Sequence, residues 1–170
     1  MIPSNEDPPA VAAADRDFGG VLLGASTGIA RPTSTEEVID SVARAARDGT
    51  TLTIRGTGHS AGGQAVPRNS VVLDTMHLND ALDVDTKAEH ITCGGGATLR
   101  QVVERTLPLG LLPRPLTNQL DLSVGGILGI GSGVGPASHL FGSLAANALE
   151  LDVVTGDAQV HRCSPTVEPG

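Results

Sequence analysis

The apolar positions of the chain alternate between helical and extended spacing, and each switch marks an element. In "RPTSTEEVIDSVARAARDGTTLTIRG", Val38, Ile39, Val42, Ala45 and Ala46 fall on one helical face. Pro32 stops extended chain ahead of them, Ser34 and Glu37 have the spacing of a capping box, and Gly49 offers a left-handed cap. Extended segments flank this helix: a short apolar run Val21–Gly24 before it, Thr51–Arg55 directly after it, and Ser70–Thr75 beyond a glycine-rich loop. Strand, helix, strand, loop, strand predicts a small parallel or mixed sheet with helix cover.

A second group begins near Leu78. Ala81–Val84 and His90–Cys93 read as a hairpin, Gly94–Gly96 as a turn, and Thr98–Thr106 as a helix, with Thr98 and Gln101 forming a second capping box and Pro108 ending it. "ALELDVVTGDAQVHRCS" alternates around Thr155–Gly156–Asp157 and predicts a hairpin on a sheet. The fold class is therefore α+β in two lobes, residues 18–77 and 78–170. Residues 1–17, rich in Pro, Ala and Asp, read as a disordered leader.

Composition narrows the partners. Eleven basic against nineteen acidic residues give a net charge of -8, which argues against phosphate backbones and anionic lipid surfaces. Phe18 and Phe141 are the only aromatic side chains of the Phe, Tyr and Trp types, so base stacking on single strands is not expected either. The start of the chain shows neither a basic segment followed by an apolar one nor a membrane anchor, and a cytoplasmic location is the expectation. Cys93 and Cys163 fit two reduced thiols. His77, His90, His139 and His161 have no metal spacing, so no metal site is expected.

Two glycine stretches carry the candidate chemistry. In "TLTIRGTGHSAGGQA", Gly56, Gly58 and Ala61 follow a strand with the spacing of a dinucleotide fingerprint. The helix which that fingerprint requires is forbidden here by Gly62, Gly63 and Pro67. What remains is a wide loop whose exposed amides can cradle an anion by their dipoles alone. His59, held between Gly58 and Ser60, is the candidate for ligand contact. The second stretch, Pro113 to Gly142, mixes bare glycine backbone with the hydroxyls of Ser123, Ser132 and Ser138 and suits a planar ligand. For either stretch the competing reading is packing economy, in which glycine only lets a loop cross close to its neighbours.

"RPTSTEEVIDSVARAARDG", "TIRGTGHSAGGQAV", "LTNQLDLSVGGIL" and "LELDVVTGDAQVHRCSP" together resemble the FAD-binding, PCMH-type domain of the vanillyl-alcohol oxidase flavoproteins, closest to cytokinin dehydrogenase and bacterial FAD-linked oxidases. The resemblance runs in order from about Arg31 to Pro165. It implies an α+β fold of two subdomains with FAD between them, incomplete at the C-terminus and lacking the substrate domain of the family. It implies that Gly56, Thr57, Gly58, His59 and Ser60 wrap the FAD diphosphate, continued by Gln64 and Ala65. Asn118, Ser123, Gly125, Gly126 and Gly129 would line the rest of the cofactor site. His59 matches the histidine that in many relatives is joined covalently to the flavin.

The implied activity is FAD-dependent oxidation, with hydride passing to flavin N5 from a carbon next to nitrogen or oxygen. The alternative is a non-catalytic flavin-binding module or truncated fragment, which would need a partner chain to supply a substrate domain. Three departures separate the chain from the family pattern. Asn118 stands where cytokinin dehydrogenases carry the aspartate that takes a proton from the substrate amine, and an amide cannot be that base. The stretch "GILGIGSGVGPASHLFG" is one residue longer than the pattern and has Gly129 in place of the usual serine. The further helix and strand that complete the domain in relatives are absent after "CSP".

Overall fold

The computed structural model describes residues 13–80 and 82–167. The chain divides into two compact units, Met1–His77 with Val154–His161 and Leu78–Val153 with Arg162–Gly170. Residues 1–12 of the expected leader, and Ala81 at the start of the expected hairpin, lie outside the described residues.

The first unit is built on a parallel three-stranded sheet. Strand β1 (Ala25–Ala30) leads to helix α1 (Thr35–Asp48), then β2 (Leu52–Arg55) and β3 (Arg68–Asp74), with spatial order β1-β3-β2. Val72 of β3 is in register with Ile29 on one side and Thr53 on the other. A central strand paired on both edges buries side chains on both faces, and Val71, Val72 and Leu73 are all buried. Parallel neighbours require the chain to return across the sheet between them. Residues 56–67 make that return without a helix, so the glycine loop starts at the carboxyl end of β2.

Helix α1 has the expected ends, with one change. Ser34 accepts from the Glu37 amide and Gly49 caps at φ 64°, but the Glu37 carboxylate reaches the amide and hydroxyl of Thr33 at 2.7 and 3.0 Å instead of completing a box on Ser34. Ala46, expected on the apolar face, is exposed.

Strand β1 also differs from expectation. Val21, Leu22 and Leu23 are exposed, Leu23 forms only an isolated bridge to Arg16, and pairing with β3 begins at Ala25. At Gly24 the backbone passes against the Pro67 carbonyl, where a Cβ would lie 2.2 Å away, and this contact brings the small residues that follow onto the sheet edge. Residues 13–17 of the expected leader are ordered by the same region. Ala14 and Asp17 are buried, and Ala14 clusters with Ile29 and Val72. The Asp15 carboxylate accepts from the Ser26 amide, and that of Asp17 from the amides of Val21 and Leu22.

In the second unit, β4 (Leu82–Asp85) and β5 (His90–Cys93) form an antiparallel hairpin with Leu82 opposite Cys93. Helix α2 (Leu99–Thr106) opens on a complete capping box between Thr98 and Gln101 and buries Leu99, Val102 and Thr106. Two further short helices, α3 (Val124–Gly129) and α4 (Ser138–Phe141), lie inside the second glycine stretch. Neither carries a helical pattern in sequence.

Strands β6 (Leu151–Val154) and β7 (Val160–Cys163) pair as a sheet of their own, not as part of a larger one. Leu151, Val153 and Val160 are exposed accordingly. Among the described residues no helix is long and apolar enough to cross a membrane.

Candidate functional site

The first unit places Gly56, Thr57, Gly58, His59, Ser60, Gln64 and Ala65 in the single loop that leaves β2. Gly58 is buried with φ +77°, a backbone state that side chains disfavour, and a Cβ there would stand 2.3 Å from Arg55 Nη2. Added Cβ atoms at Gly62 and Gly63 would likewise meet side chains, those of Gln64 and Leu22. At these three glycines the loop meets side chains and not neighbouring backbone. Among the described residues the amides of Thr57, Gly58, Ser60 and Ala61 have no protein acceptor. Unpaired N–H groups on either side of His59, at the end of a parallel strand, form a concavity for an anion.

His59 is half-buried and held on two sides. Its Nδ1 lies 3.1 Å from Thr57 Oγ1, and its ring stacks on Phe18 with centroids 4.5 Å apart and planes inclined by 22°. The Phe18 amide donates to the Ser60 carbonyl at 3.1 Å, which ties the aromatic ring to the loop it covers. Gln64 is exposed and bends back to accept from the Gly62 amide at 3.1 Å. With Thr51, Thr53, Arg68 and Ser70 it lines a cavity of about 320 Å³.

The second unit brings Ser123, Gly125, Gly126 and Gly129 onto α3 and its N-terminus. Ser123 is buried, whereas the three glycines are exposed. Helix α3 is anchored by main chain: the amides of Val124 and Gly125 each donate at 2.8 Å, to Ala97 O and Gly95 O respectively. Gly125 lies so close to Gly95 that a Cβ would sit 2.9 Å from its carbonyl oxygen. Packing economy is thus realised at Gly125, and at Gly135 against the Leu116 carbonyl, while Gly129 faces open space. Asn118 is exposed on the preceding loop.

Reading from sequence missed Arg55 and Phe18. The side chain of Arg55 is half-buried under the loop and bonds only carbonyls, and Phe18 fell in the segment beside the expected leader. The arginine directly precedes the glycines, which was the available signal. In the second unit, burial pushes the Cys93 thiol up from its ordinary value. Among the described residues no group of three or more His, Cys, Asp or Glu side chains is placed to hold a metal ion.

A glycine loop with open amides at the carboxyl end of a parallel strand has the geometry of a nucleotide-cofactor loop. The FAD binding domain family matches residues 26–164, and the chain belongs to it. Its cofactor is FAD, and the open amides of the first loop fit a diphosphate.

Among individual proteins, the chain is similar to cytokinin dehydrogenase 10 of Oryza sativa subsp. japonica, 32% identical over 98% of the chain and 32% of the relative. It is similar to cytokinin dehydrogenase 2 of Arabidopsis thaliana, also 32% identical, over 96% of the chain and 32% of the relative. The solved structure of 6-hydroxy-D-nicotine oxidase from Arthrobacter nicotinovorans superimposes with a TM-score of 0.86 at 26% identity, covering 98% of this chain and 36% of the oxidase. The chain thus spans about a third of the length of these relatives, and its fold is the two-subdomain, PCMH-type α+β fold.

Proposed function

We infer that this chain is the cofactor-holding part of an FAD-linked oxidoreductase acting on a carbon bound to nitrogen or oxygen. One observation carries the reading: the run of unpaired amides at Thr57, Gly58, Ser60 and Ala61 around a histidine held by Phe18 and Thr57. In this reading those amides hold the diphosphate of FAD, and Gly56, Gln64 and Ala65 shape the ends of the loop. Phe18 and Thr57 hold the His59 imidazole in one orientation for covalent attachment of the flavin. Ser123, Gly125, Gly126 and Gly129 serve the remainder of the cofactor. When bound, FAD supplies hydride acceptance at flavin N5.

Substrate oxidation further requires a pocket that orders a C–H bond and excludes water. A partner chain or further domain supplies that pocket in this reading. Asn118 favours a second reading for this polypeptide by itself, a flavin-binding module without chemistry, because its amide cannot take the proton released when an amine is oxidised. Asn118 counts by the same argument against a cytokinin substrate, while the resemblance to cytokinin dehydrogenases counts for one. A cytoplasmic location belongs to the same reading, and cell fractionation tests it.

The test is direct. Purified protein should show flavin absorbance, and acid precipitation should leave the colour in the pellet where His59 carries the flavin. His59→Ala should release the cofactor with the thermal midpoint nearly unchanged, because a half-buried loop side chain contributes little core volume. A colourless wild-type protein that cannot be loaded with FAD overturns both readings.

A further inference from the structure

Arg55 closes β2 and directly precedes the glycine loop. Its guanidinium makes no ion pair among the described residues, in a chain where acidic side chains outnumber basic ones by nineteen to eleven. The nearby carboxylates of Asp15 and Asp17 are instead engaged with backbone amides. Arg55 spends its donors on three main-chain carbonyls. Nη1 donates to Arg16 O at 3.2 Å and to Ala65 O at 3.4 Å, and Nη2 donates to Ala13 O at 3.2 Å.

Those carbonyls belong to two different segments. Ala65 ends the glycine loop, whereas Ala13 and Arg16 precede Phe18, the residue that stacks on His59. The body of the guanidinium lies beneath Gly58, with Nη2 2.3 Å, Cζ 2.6 Å and Nε 3.1 Å from where a Cβ would stand. A planar, five-donor cation can bridge carbonyls in several directions at once, which a lysine ammonium on its flexible stem does less well. Because the strand fixes the Arg55 backbone, its fork fixes the distance between the two ends of the loop and the segment that covers it.

We propose that Arg55 is the positioning residue of the flavin loop: one guanidinium holds the loop end at Ala65, the backbone at Gly58 and the Phe18-bearing segment in the arrangement that leaves the loop amides open. It acts through the loop and through the Phe18 stack on His59, not on the reacting atoms. The proposal rests on the flavin reading for its purpose but not for its geometry.

Flavin-free protein tests the geometry. In Arg55→Ala, amide exchange at Phe18 and Val66, which donate to Ser60 O and Gly63 O at 3.1 Å, should accelerate about tenfold or more, while the amides of Val71–Leu73 keep their wild-type rates. Millimolar methylguanidinium should restore protection to that variant. Arg55→Lys, which keeps the charge and loses the fork, should fall between the two and carries the same test if the alanine variant does not fold. Unchanged exchange in the loop, or acceleration spread evenly through β3, overturns the proposal.

FAD titration followed by flavin fluorescence then tests the purpose, with affinity expected to fall about tenfold in Arg55→Ala. Equal affinity in a variant whose loop exchanges faster overturns it. A wild-type protein that binds no FAD sinks the flavin reading, and the exchange result still decides the clamp.

Discussion

Gly58 has no room for a methyl group and no backbone conformation that welcomes one, since its φ is +77° and the Arg55 guanidinium fills the space a Cβ would take. Replacing it with alanine must either strain the backbone or push Arg55 off its three carbonyls. Gly58→Ala is therefore expected to lower stability by about 1–3 kcal/mol and to weaken FAD binding more than a distant substitution of equal stability cost. Thermal denaturation paired with flavin titration separates the two effects. A variant with wild-type affinity would mean that the loop tolerates a different path. Glycine at position 56 or 58 was visible in sequence as part of a strand-loop pattern. The stack of Phe18 on His59 was not, because forty residues of chain separate partners that only folding brings together.

At the scale of elements, local chemistry decided the helix ends. Thr98 and Gln101 form the box that their spacing implies, while at α1 the Glu37 carboxylate slips one residue back to Thr33. Hydrogen bonds from the Thr33 amide, first, and the Thr33 hydroxyl hold the Glu37 carboxyl below its ordinary value. A depressed carboxylate contributes stability that is present above the unfolded value and is lost as pH falls through the lower folded one. Acidification below about pH 4 should thus fray the start of α1 in the wild type. In Glu37→Gln the amide oxygen can still accept from Thr33, as that of Gln101 does from Thr98. The variant should therefore lose the pH dependence and be only slightly less protected at neutral pH, and the difference between the two proteins closes as pH falls. Amide exchange of the first turn as a function of pH measures it.

Elements without a local pattern were the ones that sequence did not reveal. Helix α3 contains three glycines in six residues and exists because its first amides find Ala97 and Gly95 carbonyls. Strand β1, "ASTGIA", lacks an apolar alternation and is made a strand by pairing with β3. The apolar run just before it, Val21–Leu23, has the composition of a strand and is exposed.

For the whole molecule, charge sets the terms of binding. A protein of net charge -8 repels a dianionic cofactor at long range, and the amides of the loop must capture it at short range. Association of FAD should therefore become faster, not slower, as salt rises from about 10 mM to 200 mM, where screening shortens the reach of the repulsion from roughly 30 Å to under 10 Å. Stopped-flow mixing of flavin-free protein with FAD gives the sign. A rate that falls with salt would point to a local cationic patch as the receptor.

The sequence by itself determined the helices that carry their own caps, the hairpins that carry their own turns, the loop after β2 and the family to which these motifs point. Each of these rests on interactions between residues a few positions apart, which composition and spacing expose. Only tertiary structure decided that β3 lies between β1 and β2, that Gly125 is a packing glycine, and that Arg55 and Phe18 hold the loop from below and from the side. Those outcomes depend on backbone groups meeting across long stretches of chain, and a carbonyl or an amide looks the same at every position of a sequence.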